Sequence, residues 1–115
     1  MIFDFDGFFN PVMNAPTVQS WKAGDGVPIS FSLAGDQGLG VIAAGYPQSS
    51  QIDCAAPPER DAGTGTSSPK GLEFKRGPGR YKYIWITQAG WAGTCRQLIV
   101  KLIDGTYHRA NFHFI

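Results

Sequence analysis

Glycine and proline punctuation constrains this chain more than any other feature. Fifteen glycines and eight prolines make up a fifth of its 115 residues and fall between short apolar runs. Both residues break helices and open turns, so a chain interrupted this often is held to short extended segments. No segment keeps an apolar period of 3.6 residues, whereas several alternate with period 2.

The clearest alternation is at residues 27–33, VPISFSL. Val27, Ile29, Phe31 and Leu33 face one way, and Pro28, Ser30 and Ser32 the other. Pro28 has no N–H to give a ladder, which restricts this strand to a sheet edge or a strand start. Residues 79–87, GRYKYIWIT, set Tyr81, Tyr83 and Trp85 on one face and Ile84 and Ile86 beside Lys82 on the other. The aromatic face is the better candidate for the core, with the phenolic tips reaching its rim for hydrogen bonds. Residues 94–103 form a strand with Leu98, Val100 and Leu102 on one side. Residues 106–115 form the last, with Ala110, Phe112 and Phe114 on one side, an interior strand of its sheet. Residues 17–22 read as a strand followed by a turn at Gly24-Asp25-Gly26, and residues 72–76 as a weaker one ended by Gly77-Pro78-Gly79. Residues 55–71 read as a long surface loop, or two loops around a ragged strand.

The hairpin near the end tests the register. A two-residue loop at Asp104-Gly105 sets Leu98 opposite Asn111 and Val100 opposite Arg109. A three-residue loop, Ile103-Asp104-Gly105, sets Leu98 opposite Ala110 and Val100 opposite His108, with Phe112 on the same face. The second register buries the apolar set, and Gly105 supplies the left-handed residue that a G1 bulge needs. The aromatic start, residues 2–9 with Ile2, Phe3, Phe5, Phe8 and Phe9, has no turn tying it to a neighbour. It is expected to be an edge strand of the same sandwich; addition to another molecule's sheet edge, giving self-association through Ile2 to Phe9, is the alternative.

The expected fold is all-β, a two-sheet immunoglobulin-like sandwich of about seven to nine short strands, in one domain over residues 1–115. Composition excludes several functions. Ten basic against nine acidic residues leave a net charge of +1, without the basic field that a nucleic-acid binder uses. No apolar run approaches the roughly 20 residues of a membrane-crossing helix. The start, Met1-Ile2-Phe3-Asp4-Phe5-Asp6, has neither the basic nor the apolar region of a signal peptide. Cys54 and Cys95 lie in no CxxC and at no ligand spacing from a histidine. In a small, loop-rich chain they are expected to pair as one disulfide in an oxidising compartment, worth roughly 4 kcal/mol on the chain-entropy model.

Catalytic chemistry is thinly represented. His108 and His113, the two histidines, lie five apart on one strand and so point to opposite faces, which excludes a shared metal. His108 reads as a hydrogen-bonded residue at the edge of the core. No serine lies in a GxSxG, and Asp4-Phe-Asp-Gly7 lacks the later ligands of a calcium loop. Asp25 and Asp36 sit in glycine turns, where aspartates usually accept backbone hydrogen bonds rather than hold calcium. Gly35-Asp-Gln-Gly-Leu-Gly40 reads as a turn, with no following helix or lysine for a phosphate. No catalytic, cofactor or metal residues are therefore expected. Trp21, Tyr46, Trp91 and Tyr107 are the aromatics least obviously part of the core. They are the candidate surface for a ligand or partner, against the alternative that Trp91 packs on the disulfide and Trp21 fills a sheet edge.

Several strings resemble the bacterial PxKF domain: Gly7-Phe-Phe-Asn-Pro-Val12, Val27-Pro-Ile-Ser-Phe-Ser-Leu33, Gly35-Asp-Gln-Gly-Leu39 and Ala44-Gly-Tyr-Pro-Gln-Ser49. Cys54, Tyr81-Lys-Tyr-Ile-Trp85, Trp91-Ala-Gly-Thr-Cys-Arg96 and Asp104-Gly-Thr-Tyr-His-Arg-Ala-Asn-Phe112 continue it in order. The likeness weakens from about Ala55 to Gly79, and Ser30 stands where the family carries the lysine of its eponymous motif. The resemblance implies an immunoglobulin-like module near the end of a secreted, often multidomain bacterial protein, without catalytic chemistry. On this reading the chain is expected to be a domain excised from a longer exported protein. The expected function is a non-catalytic accessory or interaction module, secreted or at the cell surface. Its partners would be other domains of the parent protein or a surface polysaccharide or protein, with no nucleic acid and no membrane insertion. The alternatives are a carbohydrate-binding module using Trp and Tyr platforms, and a structural subunit that self-associates through edge strands.

Overall fold

The computed structural model describes residues 3–5, 7–9, 12–14, 17–43, 46–56, 63–66, 72–75 and 79–115. Eight strands lie among them: β1 (Val18–Trp21), β2 (Val27–Phe31), β3 (Gln48–Ile52), β4 (Thr64–Thr66), β5 (Glu73–Lys75), β6 (Arg80–Trp85), β7 (Cys95–Lys101) and β8 (Tyr107–Phe114). One short 3-10 turn, Ala89–Trp91, precedes β7.

The strands form two sheets, ordered β1-β8-β7-β3-β4 and β2-β6-β5. They pack as an immunoglobulin-like sandwich. The smaller sheet follows the B-E-D order of that fold, and β8, β7 and β3 follow G-F-C, with β4 added beyond C. β1 joins the larger sheet parallel to β8, while every other strand pair is antiparallel.

The period-2 patterns set both inner faces. Val27, Ile29 and Phe31 of β2 are fully buried with Leu33 just beyond it, and they meet Tyr81, Tyr83 and Trp85 of β6. Pro28 faces out from β2, an edge strand, as its missing N–H requires. Ile84 and Ile86 take the solvent face, at 45% and 69% exposure. Leu98, Val100 and Leu102 pack with Ala110, Phe112 and Phe114 from the larger sheet.

The last hairpin takes the three-residue loop. Leu98 pairs with Ala110 and Val100 with His108. Leu102 N donates to Thr106 O at 3.0 Å, and Gly105 has φ +90°. β8 is interior, between β1 and β7.

Three expectations need correction. β3 carries no strand signal, since Gln48-Ser-Ser-Gln-Ile52 is mostly polar, yet it lies inside the larger sheet, paired along its length to β7. The described residues 3–5 and 7–9 form no strand: Phe8 makes an isolated bridge to Phe31 and Phe9 N donates to Ser30 O, while Ile2 and Asp6 lie outside the described residues. Residues 55–71 do hold the ragged strand expected as the second alternative there, which is β4, and residues 57–62 and 67–71 lie outside the described set. Tyr83 does not reach the rim; its hydroxyl is buried with no partner among the described residues.

β7 is buried on both faces. Leu98 and Val100 point into the core, while Cys95, Gln97 and Ile99 point the other way and are still at most 1% exposed. On that outer face Gln97 Nε2 donates to Asn111 Oδ1 at 2.9 Å, a buried polar pair across β7 and β8. No described helix is long and apolar enough to cross a membrane.

Candidate functional site

The four aromatics singled out from the sequence separate into two groups at opposite ends of β8. Trp21 ends β1, opposite Phe114, and meets Phe112 edge-on at 6.3 Å. Trp91 ends the 3-10 turn and lies against Trp85 and Phe114, with centroids at 5.7 and 5.5 Å. The Arg96 guanidinium carbon lies 4.1 Å from the Trp91 ring centre. Both tryptophans are half-buried and packed against the core. Trp21 does fill a sheet edge, and the rings Trp91 meets are Trp85 and Phe114.

Tyr46 and Tyr107 come together at the other end, 6.3 Å apart and nearly perpendicular. Lys101, opposite Tyr107 in the β7–β8 ladder, places its Nζ 5.2 Å from the Tyr107 ring and 5.9 Å from that of Tyr46. The Arg109 guanidinium carbon lies 5.3 Å from the Tyr107 ring. Two cations and two ring faces converge here, which favours an anionic ligand.

A second cluster ties the start of the chain to the β7–β8 loop. Asp104 Oδ2 accepts from Phe3 N at 2.8 Å, while Oδ1 accepts from Thr106 N at 2.8 Å and Thr106 Oγ1 at 2.6 Å. The Thr106 hydroxyl has given its one proton to Asp104, so its 2.9 Å contact with His108 Nε2 is accepted from an Nε2–H. The His108 ring stacks on Phe5 with centroids 3.6 Å apart. Burial holds the His108 imidazole below its ordinary pKa; Asp104 pulls the other way and Arg109 adds to the lowering. At Asp104 burial would raise the carboxyl, but the hydrogen bonds from Thr106 and Phe3, with His108 nearby, bring it below its usual value. His108 is thus the hydrogen-bonded core-edge residue expected from the sequence, in a cluster that fastens the start of the chain to the β7–β8 loop.

Of the two turn aspartates, Asp36 uses its carboxylate locally, whereas Asp25 takes part through its backbone carbonyl. Asp36 Oδ1 accepts from Gly38 N at 2.8 Å. At the other turn, the Asp25 carbonyl accepts from Thr87 Oγ1, whose oxygen accepts from Gly24 N. Asp6, of the Asp4-Phe-Asp-Gly7 string, lies outside the described residues.

Cys54 and Cys95 form the expected disulfide, with Cα atoms 5.4 Å apart. It joins the segment just past β3 to the start of β7, so it staples neighbouring strands of one sheet rather than bridging the two sheets. Linear spacing placed no histidine near these cysteines, yet His113 lies opposite Cys95 on β8, and its ring nitrogen and both sulfurs lie within 4.8 Å of one another. The signal for this was the hairpin register itself, which sets 95 against 113. No family model, curated protein or solved structure matches the chain.

Proposed function

We propose that the chain is a non-catalytic extracellular accessory domain at the end of a larger secreted bacterial protein, where it links, spaces or presents neighbouring domains. The observation that carries this reading is where the hydrogen-bonding groups go. Asp36, Thr87, Asp104, Thr106 and His108, which in an enzyme would be candidates for work on a substrate, hold turns and fasten the chain's start. The Cys54–Cys95 staple fits an oxidising compartment. The resemblance to the PxKF domain points the same way.

The test is made on the protein in its own cells. Non-reducing analysis with thiol alkylation, together with protease treatment of intact cells, is expected to find the cysteines bridged and the domain accessible from outside. Free thiols in a domain that is protected until lysis would overturn the proposal.

A second reading, a carbohydrate-binding module, draws on the Tyr46–Tyr107 pair beside Lys101 and Arg109. The nearly perpendicular rings offer one flat stacking face at a time, and the cations favour an acidic polysaccharide over a neutral one. Retention on an acidic polysaccharide column that Tyr107→Ala abolishes without loss of fold would favour this reading.

A further inference from the structure

Cys95 opens β7 and His113 faces it from β8. In the adjacent pair Phe114 N donates to Thr94 O. Antiparallel alternation therefore makes Cys95 and His113 a non-hydrogen-bonded pair, the kind whose side chains approach most closely. Cys54 arrives from the other side, two residues beyond Ile52, the β3 partner of Cys95. The two sulfurs and a ring nitrogen of His113 share a space 4.8 Å across. A valine or threonine at 113 would serve the strand at least as well, so the ladder alone does not call for a histidine there.

We infer that this cluster is a redox-gated metal site. With the disulfide reduced, the thiolates of Cys54 and Cys95 and the imidazole of His113 bind a thiophilic divalent cation of the zinc type and leave a fourth position to solvent.

The donor set suits that cation. Two thiolates and an imidazole are zinc ligands, and three protein donors with one open position are a known arrangement for it. A tetrahedral ion with metal–sulfur bonds of about 2.3 Å holds its sulfurs about 3.8 Å apart, inside the space the three donors already occupy. Two thiolates neutralise the charge of the ion. Cys95 and His113 are fixed by the β7–β8 ladder, and Cys54 is exposed in an irregular segment, so the adjustment falls on Cys54. That exposure also opens its sulfur to attack.

The chemistry balances as follows. A dithiol reductant attacks one sulfur as thiolate, and its second thiol displaces the mixed disulfide. Two electrons and two protons pass to Cys54 and Cys95, and the reductant leaves as its own disulfide. The cation then displaces one proton from each thiol, so binding strengthens as pH rises. The reverse exchange with an oxidised dithiol re-forms the Cys54–Cys95 bond: the incoming disulfide takes up the two electrons, and two protons from solvent, leaves as a dithiol, and the ion is released.

Cobalt(II) is the probe, added to the full chain after anaerobic reduction and removal of the reductant. Reduced wild-type protein is expected to take up one equivalent with a thiolate-to-metal charge-transfer band that zinc abolishes, and oxidised protein to show no such band. Cys54→Ser should remove most of the band, and His113→Gln should weaken binding by at least about tenfold. Absence of the band in reduced wild type, or equal affinity in His113→Gln, would overturn the site. Near-ultraviolet circular dichroism covers loss of fold on reduction: an unfolded reduced chain should refold when zinc is added, and failure to do so would equally overturn the proposal.

Discussion

Tyr81 and Tyr83 lie two residues apart on β6 and face the same core, yet their hydroxyls have opposite fates. Tyr81 Oη donates to Gly38 O and accepts from Gln37 N, both at 2.7 Å, and so pins the loop after β2. The Tyr83 hydroxyl is buried with no partner among the described residues. Burial pushes both phenols above their ordinary pKa; for Tyr81 the Gln37 N–H opposes this and Asp36 adds to it.

Removing each hydroxyl should therefore have different effects. Tyr81→Phe leaves Gln37 N and Gly38 O without their partner and should cost about 1–2 kcal/mol. Tyr83→Phe removes a desolvated group that has gained nothing, and should be neutral or stabilising by about 1 kcal/mol. Urea unfolding midpoints at constant slope measure both. A Tyr83→Phe loss as large as that of Tyr81→Phe would contradict the difference.

Acid should loosen the fastening at His108. The fold favours its neutral form, so the unfolded chain binds more protons from about the ordinary value of 6.5 down to the lower folded value. Stability is complete above 6.5 and is lost as pH falls through that window. Asp104 adds a second loss further down, below its ordinary 3.8. Unfolding free energy measured across this range should decline in two steps, and His108→Gln should flatten the upper one.

The Trp91 ring supports the end of the core, so Trp91→Ala should destabilise by about 3 kcal/mol. Tyr107→Ala removes a half-buried ring that meets Tyr46, Lys101 and Arg109 at the opposite end of β8 and should cost less than half as much. Thermal unfolding of the two variants ranks them. The reverse order would mean that the tyrosine patch, not Trp91, holds its end of β8.

Deleting residues 1–9 uncovers the core beneath Phe3 and Phe8 and the open edge of β2. Because these rings pack within their own chain, light scattering should find folded monomers before deletion and a less stable, association-prone chain after it. Oligomers in the intact chain that fall to folded monomers on deletion would instead identify this segment as an exchanged strand.

Much of the fold was legible because its signals are local. Val27, Ile29 and Phe31 alternate with polar partners, and a one-residue slip would turn them all to water. The same rule chose the loop at Gly105, since only one register sets Leu98 on Ala110. β3 was not legible. Gln48-Ser-Ser-Gln-Ile52 has little strand character of its own and becomes a strand because β7 offers it a row of unpaired backbone groups. The site was less legible still. Tyr46 and Tyr107 each read as loosely placed aromatics, but nothing near either predicts their meeting, and Trp21 and Trp91 share that character with a different outcome.

The sequence by itself determined the strand-and-turn composition, the inward face of β2, β6, β7 and β8, the final hairpin register and the pairing of two cysteines. These follow from side-chain period, backbone restriction and chain connectivity, which act between near neighbours or leave one partner to choose. Only the tertiary structure decided which sheet each strand joins, that β1 runs parallel to β8, and that β7 is buried on both faces. Each of those depends on long-range packing of two sheets, where the free energy belongs to a pair of distant segments and neither segment carries it alone.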